Sequence, residues 1–345
     1  MKLSYLSLIT AAVLATPAFA ADTDIATQFN LDPANAPAQN FDLSKWKINL
    51  PELTKEGPRK GKTLEIAKAE LANVETPYVH PEWFYTDKET GAMVFVAPNT
   101  APTTPNSKNT RSELRAMLAD DYAAPDNNFA VSSHTNAKEY GSIGGQMTAT
   151  LSVDQVSTSG NYNKTGAFSV VIGQIHGSDN EPLKIVYRKL PEHEHGSLTW
   201  NYELNPAPEL QNAKDENGKK LRKDIRHDVF GKYNLKKGSA DPVDGIKLGE
   251  VFSYDVDIKD TMMHLTFTKN PNSDSPVVKT YEVDLAKGNY QGHDVDLGYG
   301  QDWMYFKAGA YNQCNIKKSS SACEWRGMDA GDYTKVSFYQ LVLNQ

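Results

Sequence analysis

Three scarcities narrow what this 345-residue chain can be. It has only two cysteines, Cys314 and Cys323, too few for a cysteine-rich scaffold or a complete cysteine metal centre. Past its first residues it has no apolar run long enough to cross a bilayer as a helix, so no membrane partner is expected. It has no excess of positive charge. The formal net charge of -7 argues against nucleic acid as a partner, though not against an anionic ligand, because the local field of a cleft outweighs the sum. Histidines are few and scattered. His80, His134, His227, His264 and His293 show no ligand spacing. His193-Glu194-His195 invites a metal reading, but it sits beside Pro191 and Gly196 between two candidate strands and is expected to be an exposed turn. No metal and no cofactor are expected.

The N-terminus carries an export signal. Lys2 gives a positive start, Leu3 to Val13 a short apolar run, and Ala18-Phe19-Ala20 a small-x-small cleavage site. Residues 1–20 are therefore read as a signal peptide, and the protein as secreted or periplasmic. Residues 21–40 read as a loose lead-in and residues 41–345 as a single domain. Export permits a disulfide, and Cys314–Cys323 would clip a polar loop rich in serine and lysine.

Period-two alternation dominates the rest. It runs through Trp46 to Pro51, Met147 to Val153, Leu183 to Arg188, Leu198 to Leu204, Phe252 to Ile258, Met263 to Phe267 and Val336 to Leu343. Trp83–Tyr85 and Met93–Val96 flank a turn from Asp87 to Gly91 and read as a hairpin. Thr63 to Asn73 reads as a short helix. Residues 205–244 are charged and read as an insertion or long loop. Many strands and almost no helix predict an all-β sandwich. Aromatics make up 10% of the chain, with 17 tyrosines, a composition suited to flat ligands such as sugars.

Three strands carry chemistry on one face. In Tyr305 to Gln313, Phe306, Ala308 and Ala310 fall on one side, and Lys307, Gly309, Tyr311 and Gln313 on the other. In Thr110 to Arg115, Arg111, Glu113 and Arg115 share a face. In Val170 to His176, Gln174 and His176 lie side by side at the strand end. If the three strands share a sheet, one surface gathers three cations, two amides, an imidazole, a phenol and a carboxylate. Lys184 and Arg188 share a face of their own strand, either to bind a distal part of a ligand or as ordinary solvated charges.

Arg111-Ser112-Glu113-Leu114-Arg115, Gln174-Ile175-His176 and the block Tyr305 to Gln313 resemble the three signature blocks of polysaccharide lyase family 7, the alginate lyases. Trp46 to Pro51 is similar to that family's opening strand. The blocks follow in the family order across most of the chain. The resemblance implies a β-jelly-roll with a concave substrate-binding sheet, acting on alginate by β-elimination and leaving a 4,5-unsaturated non-reducing end. It implies that Arg111 and Gln174 neutralise the uronate carboxylate, that Tyr311 is the acid, and that His176 is the base for guluronate. For mannuronate it implies that Tyr311 serves as both base and acid.

The chemistry suits these residue types. An arginine fork matches a carboxylate, and a neutral histidine is a natural base. A phenol, with an ordinary pKa of roughly 10, donates readily and is a poor base unless cations lower that value. Glu113 is expected to hold Arg111 and Arg115, and Arg115, Lys307 and Gln313 to bind substrate or support those that do. Ile175 resembles the variant associated with guluronate-containing blocks, with mixed specificity left open. A monomeric, endo-acting, metal-independent enzyme is expected.

Two other readings stand beside this one. Asp255 and Asp260 bracket a carboxylate-bearing strand that suggests a retaining β-glucanase-like glycoside hydrolase, against the plain reading of a wet strand face. A non-catalytic polysaccharide-binding module would explain the aromatics but not the company of His176 and Tyr311.

Overall fold

The alternating stretches become strands of two antiparallel sheets that face each other. The computed structural model describes residues 22–119, 125–205, 214, 216–218, 224–287, 289–290, 293–294, 298–317 and 322–345. The expected signal peptide lies outside the described residues.

The first sheet has nine strands. Its order is Asp224–Phe230, His195–Glu203, Leu183–Arg188, Ser169–His176, Tyr305–Asn312, Arg111–Ala116, Trp46–Leu53 and Thr63–Ile66, with Ile246–Lys247 added beside His195–Glu203. The second has seven: Val277–Asp284, Met262–Lys269, Phe252–Lys259, Gly145–Gln155, Tyr333–Asn344, Met93–Pro98 and Phe84–Thr86. Hairpin neighbours alternate with pairs distant in sequence, such as Ser169–His176 beside Tyr305–Asn312 and Gly145–Gln155 beside Tyr333–Asn344, as in a jelly roll. The inner faces meet in one core. Ile172, Ile185, Trp200, Phe306, Ala308 and Leu114 from the first sheet join Phe95, Leu151, Tyr254, Phe267 and Phe338 from the second. Burying these apolar faces is the main driving force for folding.

Three expectations change. Thr63 to Asn73 is not one helix. Thr63–Ile66 pairs with the Trp46 strand through Ile48↔Ile66, and only Lys68–Leu71 turns helical. The β-branched Thr63 and Ile66 fit a paired strand edge better than a helix. Within 205–244, Asp224–Phe230 is a sheet strand whose Arg226 faces Asn201. Its charges suit an edge strand that must not invite further pairing. The lead-in is partly ordered. Asp22–Gln28 and Pro37–Asn40 are short helices, and Ile25 packs with Ala92 and Tyr339. Among the described residues no helix is long and apolar enough to cross a membrane.

Cys314 and Cys323 form a disulfide with their Cα atoms 5.2 Å apart. They anchor a small second core with Phe168, Leu190 and Leu235, directly after the Tyr311 strand. Closing so short a loop is worth about 2–3 kcal/mol in the chain-entropy picture. Replacing both cysteines by serine is expected to lower the melting temperature by several degrees. An unchanged melting temperature would show that the clip carries no stability.

Candidate active site

The three strands with polar faces are adjacent in the first sheet. Tyr305–Asn312 lies between Ser169–His176 and Arg111–Ala116. The registers align their side chains in rows: Lys307 with Arg115 and Gln174, Tyr311 with Arg111, and Tyr305 with His176. Opposed residues point to the same face, so these side chains share the surface turned away from the core. One row extends further, through Lys47 beside Arg115 and Lys184 beside Gln174.

At the centre is a buried carboxylate. Glu113 accepts from Arg111 at 2.9 Å and from the Gln174 amide at 2.5 Å, and it pairs with the Lys307 ammonium. Burial pushes its pKa up, but Lys307 and Arg111 outweigh that and hold it below the usual carboxylate range. Lys307 shows the opposite balance. Burial and the neighbouring Arg111 lower its pKa to about 8, against the pull of Glu113. Glu113 therefore ties Arg111, as the sequence suggests, and also Lys307, which the sequence does not suggest. It does not tie Arg115, which donates to Asn128 at 3.1 Å and lies 4.0 Å over the Tyr305 ring. Among the described residues Arg115 has no carboxylate partner.

Tyr311 stands on the cationic side. The Arg111 guanidinium lies 3.9 Å from its ring centroid and the Lys307 ammonium 5.7 Å. The Tyr311 hydroxyl is 3.1 Å from Ser107 Oγ, which also accepts from Arg111 at 3.0 Å. Gly309 sits between Lys307 and Tyr311 with φ at +135°. A Cβ there would come 2.7 Å from the Ser112 carbonyl oxygen, so only glycine fits. The pairing with the His176 strand shifts register at this point, as a bulge does.

His176 occupies the other side. Its Nδ1 lies 2.5 Å from the Gly177 carbonyl. A carbonyl oxygen only accepts, so Nδ1 carries the hydrogen and Nε2 keeps the lone pair. Its ring stacks on Tyr305 at 5.1 Å with planes 7° apart. Burial, then Lys307, lower its pKa to about 4, so the imidazole is neutral at ordinary pH. Glu181 Oε1 is 3.4 Å from Nε2.

The remaining expected residues are placed less uniformly. Lys184 is held by Glu181 at 3.0 Å and Glu203 at 2.5 Å. Burial works against its charge, but both carboxylates push its pKa up. Gln313 accepts from Asn109 at 3.0 Å and donates to the Tyr311 carbonyl, which steadies the loop that carries Ser107. Arg188 stands apart. It is buried and donates to the carbonyls of Ala167, Leu235 and Tyr162, so it locks loops together and is neither a ligand arm nor a solvated charge.

Ser107, Glu181 and Tyr305 were not singled out from the sequence. Tyr305 could have been, since it shares the parity of Lys307 and Tyr311. Ser107 and Glu181 lie in irregular segments, where no periodicity assigns a face.

The glycosidase-like acids are elsewhere. Asp255 is on the outer face of the second sheet, accepting from Gln146 at 2.8 Å and Thr148 at 2.6 Å. Asp260 is a turn residue with φ at +55°. The His193–His195 segment is more tied down than an exposed turn. His193 is buried against the Ser239 carbonyl. Glu194, His195 and Asp241 bring ligand-type atoms within 4.8 Å of one another. Their observed bonds are internal, however: Asp241 accepts from the His195 amide and is 2.7 Å from its Nδ1, and Lys247 pairs with Glu194.

Comparison with known proteins identifies relatives of the whole chain. A family model described as alginate lyase matches residues 41–345. The chain is 34% identical over 320 residues to an alginate lyase of Klebsiella pneumoniae, covering 89% of this chain and 90% of that protein. The crystal structure of the alginate lyase from Klebsiella pneumoniae superposes with a TM-score of 0.69 at 30% identity, over 90% of this chain and 98% of that one. An exolytic alginate lyase of polysaccharide lyase family 7 from Zobellia galactanivorans gives 0.67 at 27% identity, over 90% and 97%.

The central carboxylate invites a direct test. Glu113→Gln would leave the buried Lys307 and Arg111 without their counter-charge. Breaking a buried pair in this way costs about 3–5 kcal/mol. The variant is expected to unfold at clearly lower denaturant than wild type. An unchanged midpoint would show that the cluster is solvated and contributes little.

Proposed function

The chain belongs to the alginate lyases of polysaccharide lyase family 7, and from that premise we propose how its own residues cleave the polymer. The substrate is a 1,4-linked uronate chain. The C5 proton of a uronate is hard to remove while the adjacent carboxylate keeps its charge. Arg111, with the Gln174 amide beside it, neutralises that carboxylate, so charge developing on loss of the proton spreads onto it. Arg115 and Lys307 add to the positive field. The observation that carries this reading is the registered placement of Arg111, Gln174, His176 and Tyr311 on one face of three adjacent strands.

In guluronate the C5 hydrogen and the C4 oxygen lie on opposite sides. His176 Nε2 takes the proton from one side while the Tyr311 hydroxyl protonates the leaving oxygen from the other. The C5–H pair becomes the new C4–C5 double bond, and the C4–O bond breaks. In mannuronate both groups lie on one side, and Tyr311 takes and gives the proton in turn. The Arg111 guanidinium lies over its ring, 3.9 Å from the centroid. The free Nε2 lone pair of His176 and the neighbouring Ile175 support a preference for guluronate-containing blocks.

The polar row continues on both sides of Lys307, to Lys47 and to Lys184, which supports binding along a chain and endo-action. The apolar run at Leu3 to Val13 and the Cys314–Cys323 disulfide support a protein that works outside the cytoplasm. A glycosidase reading loses its support, because Asp255 lies on the opposite sheet from the cluster.

The test follows unsaturated product by ultraviolet absorbance on separate guluronate-rich and mannuronate-rich polymers. Tyr311→Phe is expected to lose about a hundredfold or more in kcat on both. His176→Ala is expected to lose as much on the guluronate polymer and far less on the mannuronate polymer. Near-full activity of Tyr311→Phe would sink the acid assignment, and an intact polymer after long exposure to wild type would sink the function. The base must also be unprotonated. On the guluronate polymer activity is expected to fall as pH drops through about 4, where His176 takes up a proton. An acid limb near 6.5, the ordinary histidine value, would contradict this burial effect.

A further inference from the structure

Tyr311 has one close polar neighbour whose part in the elimination is unassigned. Ser107 Oγ lies 3.1 Å from the Tyr311 hydroxyl, and by distance alone either oxygen could donate. A serine hydroxyl carries one hydrogen and two lone pairs. Both lone pairs of Ser107 are taken. The Arg111 guanidinium donates to Oγ at 3.0 Å through Nη2, and the Asn109 backbone amide donates to it at 3.1 Å. Toward the phenol, Ser107 has only its hydrogen left to offer. That hydrogen has two acceptors in reach, the Asn109 carbonyl at 3.0 Å and the Tyr311 oxygen. The charged donor on Oγ polarises the hydroxyl and makes it the stronger donor.

We propose that Ser107 is the positioning residue for Tyr311: it donates to the phenolic oxygen and does not take the phenolic hydrogen, which stays free to face the cleft. Among the described residues no other group bonds the Tyr311 hydroxyl. A phenolic oxygen has room for both partners, because it accepts on one side while its own hydrogen points to another. The proposal rests on the lyase reading for its kinetic consequence and makes that reading more specific. The step balances. As the C4–O bond breaks, the Tyr311 O–H bond breaks too. The proton joins the leaving oxygen, and the electron pair stays on the phenolic oxygen. The Ser107 hydrogen then turns from the Asn109 carbonyl to that phenoxide. No covalent bond of Ser107 breaks, and solvent later returns the proton to Tyr311. On mannuronate the phenoxide must come first, to take the C5 proton, and the same hydrogen faces it from the start.

The loop that carries Ser107 is tied in this place. The Thr103 hydroxyl donates to the Ser107 carbonyl at 2.9 Å and the Lys317 ammonium donates to it at 3.1 Å. The Asn109 side chain donates to Gln313 at 3.0 Å, and the Asn315 side chain donates to Asn109 at 2.7 Å. Gln313, Asn315 and Lys317 flank Cys314, so the loop leans on the segment that the disulfide clips. None of these ties uses Ser107 Oγ. Ser107→Ala therefore removes the hydroxyl and leaves the loop anchored.

Neutron diffraction from crystals of the intact protein, exchanged into heavy water, reads the hydrogens directly. The Arg111 and Asn109 deuterons are expected to point at Ser107 Oγ, and any deuteron on Tyr311 to point elsewhere. A Tyr311 deuteron aimed at Ser107 would overturn the proposal. In kinetics, Ser107→Ala is expected to cut kcat about tenfold on both polymers, with KM within about twofold. In a Tyr311→Phe background the same change is expected to cost less than about twofold, because Ser107 acts through the phenol. An unchanged kcat, a loss confined to KM, or a loss undiminished in the Tyr311→Phe background would also overturn it, the last two by assigning Ser107 to the Arg111 grip on the carboxylate. The neutron map needs neither variant nor substrate, so it decides the matter even if Ser107→Ala folds poorly. A wild type that cleaves neither polymer would remove the lyase reading alone, since the map still judges the Ser107–Tyr311 pair.

Discussion

One buried carboxylate makes the rest of the site possible. Several cations on neighbouring strands of a sheet repel one another, and the repulsion grows as they leave water. Glu113 lies beneath Arg111, Lys307 and Gln174 and bonds all three. Its charge allows Arg111 and Lys307 to stay close to each other and to the Tyr311 ring. It does not cancel them, and Arg115 adds a further positive charge. The surface above therefore keeps a positive field on a protein whose overall charge is negative. An anionic polymer meets that local field, and the excess of acid elsewhere is of less consequence.

Tyr311 and His176 sit in contrasting surroundings. Tyr311 lies under the Arg111 guanidinium, 3.9 Å from its ring centroid, with the Lys307 ammonium at 5.7 Å. His176 is half-buried and stacked on Tyr305, and desolvation together with the charges of Lys307 and Lys184 favours its neutral form. The strands thus place a phenol and an imidazole in different surroundings on one face of the sheet. The registers fix this arrangement. A slip of one residue in any of the three strands would turn its polar row into the core and its apolar row outward.

Much of this was legible because strand periodicity assigns faces. Arg111, Glu113 and Arg115 could be placed together, as could Gln174 with His176 and Lys307 with Tyr311, from parity alone. Which strands are neighbours was not legible, because Tyr305–Asn312 and its two partners are far apart in sequence. The family resemblance supplied that step. Failures came where local and tertiary preferences compete. Ala67 has helical spacing with Leu71, yet the pairing of Ile66 with Ile48 makes the start of this stretch a strand. The strand Asp224–Phe230 looked like loop because an edge strand tolerates charge. Arg188 resembled a ligand arm, but its partners are carbonyls of loops that no sequence pattern brings near it. Ser107 and Glu181 were invisible for the same reason.

Gly309 has a consequence beyond the bulge it permits. It stands in the middle of the cluster, on the floor formed by the three strands, and no side chain can be accommodated there. The flanking floor positions are already bound into the Glu113 cluster. An enzyme built this way has little freedom to retune its preference among uronates from below. Diversification, in nature or in the laboratory, has to come from the rim, through loops such as those that carry Ser107 and Glu181, where a changed residue reshapes the opening and leaves the floor intact.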